Sequence, residues 1–230
     1  MIAESVGKIR ERIATACRKS GRSPDEVTLL AVSKTFPAER VREVVSCGVE
    51  DVGENYVQEL CAKREQLADE RIRWHFIGHL QSNKVRSIAP WIHLIHAVDS
   101  VSLAAEIDKR AARSNRCIDI LIEINTTGEE SKFGIRPEAA QELVQSLSQL
   151  EHIRICGLMT IGLFDPDPEV CRPLFRTLRG LKDQLAKLRQ DNLQMMHLSM
   201  GMTGDFEVAI EEGATIVRIG TALFGSRKQR

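Results

Sequence analysis

Lys34 carries the clearest chemical potential in this chain. It sits in LLAVSKTF, Leu29 to Phe36, after a run that is apolar at nearly every position and before Pro37. Lysine is among the residues least often buried, so its place at the exit of a buried strand has two readings. In one, the strand ends and the amine reaches water. In the other, the amine stands in a partly desolvated mouth, where burial lowers its pKa and frees a nucleophile to attack a carbonyl. Two small-residue turns supply a second feature. Ser199, Met200 and Gly201 in HLSMGMTGD, and Gly220 and Thr221 in VRIGTALFG, each lead from an apolar run into a helical pattern. Either turn alone reads as a tight connection. Together they offer amides and hydroxyls to a phosphate. Arg218 lies two residues before Gly220, so strand alternation points both to one face.

Other constellations carry less. His75 and His79 are four apart but fall on a strand and its turn, and HFIGH lacks the glutamate of H-E-x-x-H. His93 and His96 point to opposite faces of a strand, and no acidic partner stands at ligand spacing, so no metal site is expected. Lys84 and Lys132 read equally as mouth-facing or as solvated loop lysines. Tyr56 is the only tyrosine, and as the neighbour of Asn55 it points elsewhere.

Composition narrows the class. The 230 residues are 43% hydrophobic, ample for one core, and formal net charge is +0 from 32 basic and 32 acidic residues. Nothing in this balance points to nucleic acid or to an anionic membrane. Only the tail SRKQR is locally basic. Six scattered cysteines, with no C-x-x-C pair and no signal-peptide pattern, fit reduced thiols in a cytoplasmic protein. Ile2, Val6, Ile9, Ile13 and Cys17 recur at helical spacing in the N-terminal segment, where Glu4 and Glu11 argue against a transit peptide. No stretch approaches the ~20 apolar residues of a membrane span.

The elements that must position these residues alternate. Strands are expected over Thr28–Ser33, Val49–Gly53, Arg73–Gly78, Leu94–Asp99, Ile118–Asn125, Ile155–Thr160, Met195–Met200 and Ile216–Gly220, each followed by a helical pattern. Pro37, Pro137 and Pro168 sit where helices open, and Ser100 can cap another. Eight strand–helix units behind one extra helix fit an α/β class, a closed (β/α)8 TIM barrel, for which ~250 residues is typical. An open doubly wound sheet is the alternative, but AVSKTFP holds no glycine of a dinucleotide fingerprint. One domain over 1–230 is expected, with no second domain to follow.

In such a barrel the active site lies at the C-terminal ends of the strands, often with a phosphate between the loops after strands seven and eight. Lys34 then faces a phosphate cup, and the small phosphorylated aldehyde that fits both is pyridoxal 5′-phosphate, held as a Schiff base. Arg218, inward on strand eight, is placed to donate to the pyridine nitrogen. A permanently charged donor keeps that nitrogen unprotonated and makes the ring a poor electron sink.

Six segments, AVSKT, GENYVQE, WHFIGHLQSNK, GLMTI, SMGMTGD and VRIGTALFG, resemble the pyridoxal phosphate homeostasis protein family, single-domain relatives of the alanine racemase N-terminal barrel (fold-type III). The resemblance runs end to end and in order. It implies that Lys34 holds the cofactor as an internal aldimine, that Arg218 meets the ring nitrogen, and that Asn55 lies beside the ring. It implies phosphate contacts at Ser199, Met200, Gly220 and Thr221. Thr203 and Gly204 depart from the family's pattern, in which serine and an acidic or polar residue are more usual.

Three function classes follow: a non-catalytic carrier or regulator of pyridoxal phosphate, a weak amino-acid racemase, and a barrel for another phosphorylated metabolite. Racemization needs a base on each face of the ring. The resemblance implies that alanine racemases take the second, a tyrosine, from a C-terminal domain that this chain lacks. The carrier, a monomer whose partners are the cofactor and the proteins that require it, is the leading expectation.

Overall fold

The structure is a computed structural model, and it describes residues 1–129 and 131–225. The basic tail noted above lies outside the described residues. Eight strands alternate with helices: α1 Ile2–Lys19, β1 Thr28–Val32, α2 Ala38–Val45, β2 Asp51–Glu54, α3 Val57–Gln66, β3 Arg73–Phe76, α4 Val85–Ile88, β4 Leu94–Val98, α5 Val101–Arg113, β5 Ile118–Glu123, α6 Ala140–Ser146, β6 Ile153–Met159, α7 Arg172–Leu185, β7 Leu193–Ser199, α8 Phe206–Glu211, β8 Ile216–Ile219 and α9 Thr221–Phe224. The strands pair in parallel in chain order, and β1 pairs with β8, closing a barrel.

The expected elements stand within a few residues. β2 starts at Asp51 rather than Val49, while β6 and β7 start at Ile153 and Leu193, two residues earlier than expected. Tight 3-10 turns, Ser82–Lys84, Pro137–Ala139 and Pro168–Cys171, precede α4, α6 and α7, the last two where helices were expected to open at Pro137 and Pro168.

Strand periodicity sorts the core into two layers. Ala31, Val52, Phe76, Ile95, Ile120, Ile122, Leu198, Val217 and Ile219 point outward and pack under the helices. Leu30, Val32, Ile77, Leu94, Leu121, Cys156, Met159 and Ile216 fill the interior. The interior is not wholly apolar. Alternation also turns Asp51, His75, His96, Glu123, Ser199 and Arg218 inward, and all six are buried. Helix α1 packs on α8, α9 and α2, with Ile2, Val6, Ile9, Ile13 and Cys17 as its buried stripe.

Candidate functional site

A cavity of about 600 Å³ opens at the C-terminal ends of the strands. It gathers Lys34 and Phe36 from the turn after β1, Asn55 after β2, Thr203 to Asp205 after β7, and Arg218, Gly220 and Thr221 from β8 and the turn after it. Its outer wall is the segment after β6, with Ile161, Leu163, Phe164 and Pro166. That size suits a small aromatic ligand with room beside it.

The Lys34 turn is held from below. Ser33 N–H donates to Gly53 O (3.1 Å) and Phe36 N–H to Ser33 O (3.0 Å). Thr35 takes φ +70°, the left-handed region that non-glycine residues seldom adopt. Its N–H donates to Glu59 Oε1 at 2.7 Å. Lys63 of α3 then ties the turn to β2: its Nζ donates to Ser33 O (2.7 Å), to Glu54 Oε1 (2.5 Å) and to Glu59 Oε1 (3.1 Å). Ser33 Oγ also donates to Glu54 Oε1. Both Glu54 and Lys63 are buried. Burial pushes the Glu54 carboxyl above its ordinary pKa, against the pull of Lys63 and Ser33. Glu54 thus faces the helix layer and not the mouth. Phe36 stacks on Phe224 at 4.9 Å between ring centres, joining the turn to α9.

Arg218 is buried at the cavity floor and bonded to neutral oxygens. Nη1 donates to Ser199 O (2.7 Å) and Ser199 Oγ (2.8 Å), and Nη2 to Thr160 O (2.8 Å). Burial lowers its pKa to about 10, with Asp205 and Glu123 opposing the fall, so the guanidinium stays charged at neutral pH. Glu123 on β5 responds in the other direction. Burial, reinforced by Asp99, raises its pKa to about 7, against the pull of Arg218.

The turn after β7 is compact for a steric reason. Gly201 has φ +91°, and a Cβ there would come within 2.6 Å of Ala209 Cβ and 2.9 Å of Phe206 Cα. Asp205 Oδ1 accepts from Met202 N–H at 2.6 Å. Burial raises the Asp205 pKa. At Asn55 the chains also meet closely: a Cβ on Gly78 would collide with the Asn55 carbonyl.

Five expected site residues, Lys34, Asn55, Arg218, Gly220 and Thr221, therefore share one cavity. Ser199 and Met200 do not line it. Ser199 is buried behind Arg218, with Oγ 2.9 Å from His96 Nδ1. Met200 is buried in the outer core, and its N–H donates to Ile216 O (3.2 Å). Thr203 and Gly204, three and four residues after Met200, take the lining positions instead. Lys84 and Lys132 are not in the lining, and Lys132 Nζ pairs with Glu129 at 2.8 Å. Tyr56 is 59% exposed and also stands outside it.

At the opposite end of the barrel the structure finds the acidic partner that sequence spacing did not reveal. Asp51, His75 and His93 bring ligand atoms within 4.8 Å of one another. Arg73 already occupies both Asp51 oxygens, through Nε (2.9 Å) and Nη2 (2.7 Å). Both His75 nitrogens are in hydrogen bonds, to Asp51 and His96. A cation would have to displace a guanidinium and those bonds, so the donor set fits an ion pair better than a metal.

Comparison with known proteins gives a consistent set. Residues 5–228 match the alanine racemase N-terminal domain family. The pyridoxal phosphate homeostasis protein of Aquifex aeolicus is 50% identical, over 98% of this chain and 98% of that one. A crystal structure of an unknown protein from Bifidobacterium adolescentis superposes with a TM-score of 0.91 at 40% identity, over 97% of this chain and 94% of that one. The structure of PipY from Synechococcus elongatus PCC7942 with pyridoxal phosphate bound superposes at 0.85 with 34% identity, over 98% of this chain and 100% of that one.

Proposed function

Because the chain belongs to the alanine racemase N-terminal domain family, we propose that it binds pyridoxal 5′-phosphate in the mouth of its barrel and serves homeostasis of that cofactor. The observation that carries this reading is the convergence of Lys34, Asn55, Arg218, Gly220 and Thr221 on one cavity. The residues fit the group. Asn55 Oδ1 is buried with no hydrogen-bond partner, a polar atom in want of a ligand. A guanidinium, a lysine and two turns with a hydroxyl each supply donors for a ring nitrogen, an aldehyde and a phosphate.

When bound, the cofactor supplies an aldehyde that bonds covalently to an amine and a ring that can draw electrons from it. Lys34 holds the aldehyde carbon. Arg218 donates to the ring nitrogen and, being charged, keeps a proton off it. Asn55 packs beside the ring. The phosphate falls to Thr203, Gly204, Gly220 and Thr221, with Ser199 acting through Arg218. Met200 supports the turn from the core.

The carrier reading, with no dedicated catalytic activity, is supported by what the mouth contains. A racemase needs a second base opposite Lys34. Tyr56 is outside the lining, Asp205 accepts from Met202 N–H, and Asp165 accepts from Asp167 N–H (2.9 Å) at the exposed rim. The rim is apolar and open: Phe164 is fully exposed and Ile161 is exposed beside it. An open rim of this kind suits handover to proteins that require the cofactor. All six cysteines are free, which fits a cytoplasmic, reducing setting for a single-domain monomer of residues 1–230. No helix among the described residues is long and apolar enough to cross a membrane.

Two assays test the reading. Adding pyridoxal phosphate to the purified protein should give a saturable absorbance band near the visible edge, and absence of the band overturns it. Incubation with L-alanine in deuterated water should give little inversion at the α-carbon. Inversion at the ~10 s⁻¹ typical of enzymes would replace the carrier with a racemase.

A further inference from the structure

A line of hydrogen bonds crosses the barrel interior from one mouth to the other. Arg218 Nη1 lies 2.8 Å from Ser199 Oγ. Ser199 Oγ lies 2.9 Å from His96 Nδ1, His96 Nε2 lies 2.9 Å from His75 Nδ1, and His75 Nε2 lies 3.0 Å from Asp51 Oδ1. All five side chains are buried. They come from β8, β7, β4, β3 and β2.

The two ends give the line a direction. A guanidinium only donates, and an ionised carboxylate only accepts. Asp51 is ionised: burial opposes this, but the bonds from Arg73 and His75 outweigh it and hold the carboxyl well below its ordinary range. Ser199 Oγ therefore accepts from Arg218 and sends its own proton to His96 Nδ1. His96 must then carry its proton on Nε2 and donate to His75 Nδ1, and His75 carries its proton on Nε2 and donates to Asp51. A doubly protonated His75 would reverse the middle of the line. Ser199 Oγ would then receive two donors, and its own proton would lose its acceptor.

We propose that Ser199, His96, His75 and Asp51 are positioning residues for Arg218, and that the line fixes both histidines as neutral Nε2–H tautomers. The function of the line is to hold a lone pair of Ser199 toward the guanidinium. A hydroxyl free to rotate would turn its proton on a buried cation whose other partners are two backbone carbonyls, Ser199 O and Thr160 O. Bonds aligned in one direction also polarise one another. The surroundings agree. Burial lowers the pKa of His96 and His75, with His93, His197, Arg73 and Arg218 adding to the fall and Asp51 alone opposing it at His75. The role toward the ring nitrogen rests on the cofactor reading above; the tautomers do not.

Nitrogen NMR on the full chain labelled with ¹⁵N-histidine, without added cofactor, tests the tautomers directly. His75→Gln and His96→Gln assign the two rings. At pH 7 both should show a protonated Nε2 and an unprotonated Nδ1. A charged ring, or an Nδ1–H tautomer at either position, overturns the line. Titration with pyridoxal phosphate tests the positioning. Ser199→Ala should weaken binding about tenfold, the size of one lost hydrogen bond to a charged group, and Ser199→Thr, which keeps the hydroxyl, should restore it. Unchanged affinity in Ser199→Ala overturns the positioning role. If the unmutated protein binds no pyridoxal phosphate, the cofactor reading and the role toward it fall together, while the NMR result still decides the tautomers.

Discussion

Two buried polar networks lie on opposite sides of the barrel wall, and each holds one of the residues assigned to the cofactor. Outside the wall, Lys63, Glu54, Glu59 and Ser33 grip the turn that carries Lys34. Inside it, Asp51, His75, His96 and Ser199 back Arg218. The first is short and centred on the full charges of Lys63, Glu54 and Glu59 under one helix, with Ser33 as its neutral member. The second is long, with charge only at its ends and neutral links between. The difference follows from what each must hold. A backbone turn with Thr35 in the left-handed region can be braced by strong local ion pairing. A guanidinium at a ligand site must keep its own charge for the ligand, so it is met by a hydroxyl and carbonyls and not by a carboxylate.

Breaking the outer network should cost most. Lys63→Met leaves Glu54 buried without its cation, and removal of one partner of a buried pair destabilises by about 3–5 kcal/mol. Chemical denaturation should show this loss, and adding Glu54→Gln to Lys63→Met should recover much of it. No recovery in the double variant would mean that Lys63 acts by packing alone.

Next in size is Glu123, which shares the barrel interior with Arg218. Its native pKa is raised to about 7 from an ordinary value of 4.5. Between those values the unfolded chain has lost the proton while the native state keeps it. Stability then falls as pH rises, by about 1.4 kcal/mol per pH unit, and levels off above about pH 7. Over the whole window the loss is about 3 kcal/mol. Glu123→Gln should remove that slope from a series of denaturation curves between pH 4.5 and 8, and an unchanged slope would assign it to other groups.

The inner line should respond less than the outer pair. His96→Leu removes a neutral link and leaves the Ser199 hydroxyl proton without an acceptor and His75 Nδ1 without a donor, a loss of about 1–3 kcal/mol. A loss as large as that of Lys63→Met would erase the distinction between the two networks. The smallest effect is expected at Thr35. Thr35→Gly relieves its φ of +70° but adds chain entropy to the unfolded state, for a net gain of about 0.5 kcal/mol. A clear loss would show that the threonine side chain itself holds the turn.

The sequence carried the barrel well because each strand and helix announces itself locally. Val41 and Val44 at helical spacing, Gly48 with φ +76° past the end of α2, and Ser100 accepting from Leu103 N–H are all near neighbours in the chain. Lys34, Arg218 and the turn glycines were legible because strand ends in a barrel converge on one mouth. The networks behind them were not. Asp51 and His75 lie on neighbouring strands, and their contact depends on the register that pairs Gly53 with His75. His96 and Ser199 are 103 residues apart and meet across the interior. Ser199 was expected at the phosphate, because alternation tells which face a side chain takes but not how deep in the barrel it lies. Only Glu59 and Lys63, four apart on α3, left a readable trace of the outer network.

The central claim is that Lys34 is the residue that holds pyridoxal phosphate. Borohydride reduction of the reconstituted protein, followed by peptide mass spectrometry, tests it most directly. The account predicts one phosphopyridoxyl adduct, on Lys34, absent from Lys34→Ala together with the absorbance band. An adduct on Lys63, Lys84 or Lys132 in the unmutated protein, or a band that survives in Lys34→Ala, would contradict it.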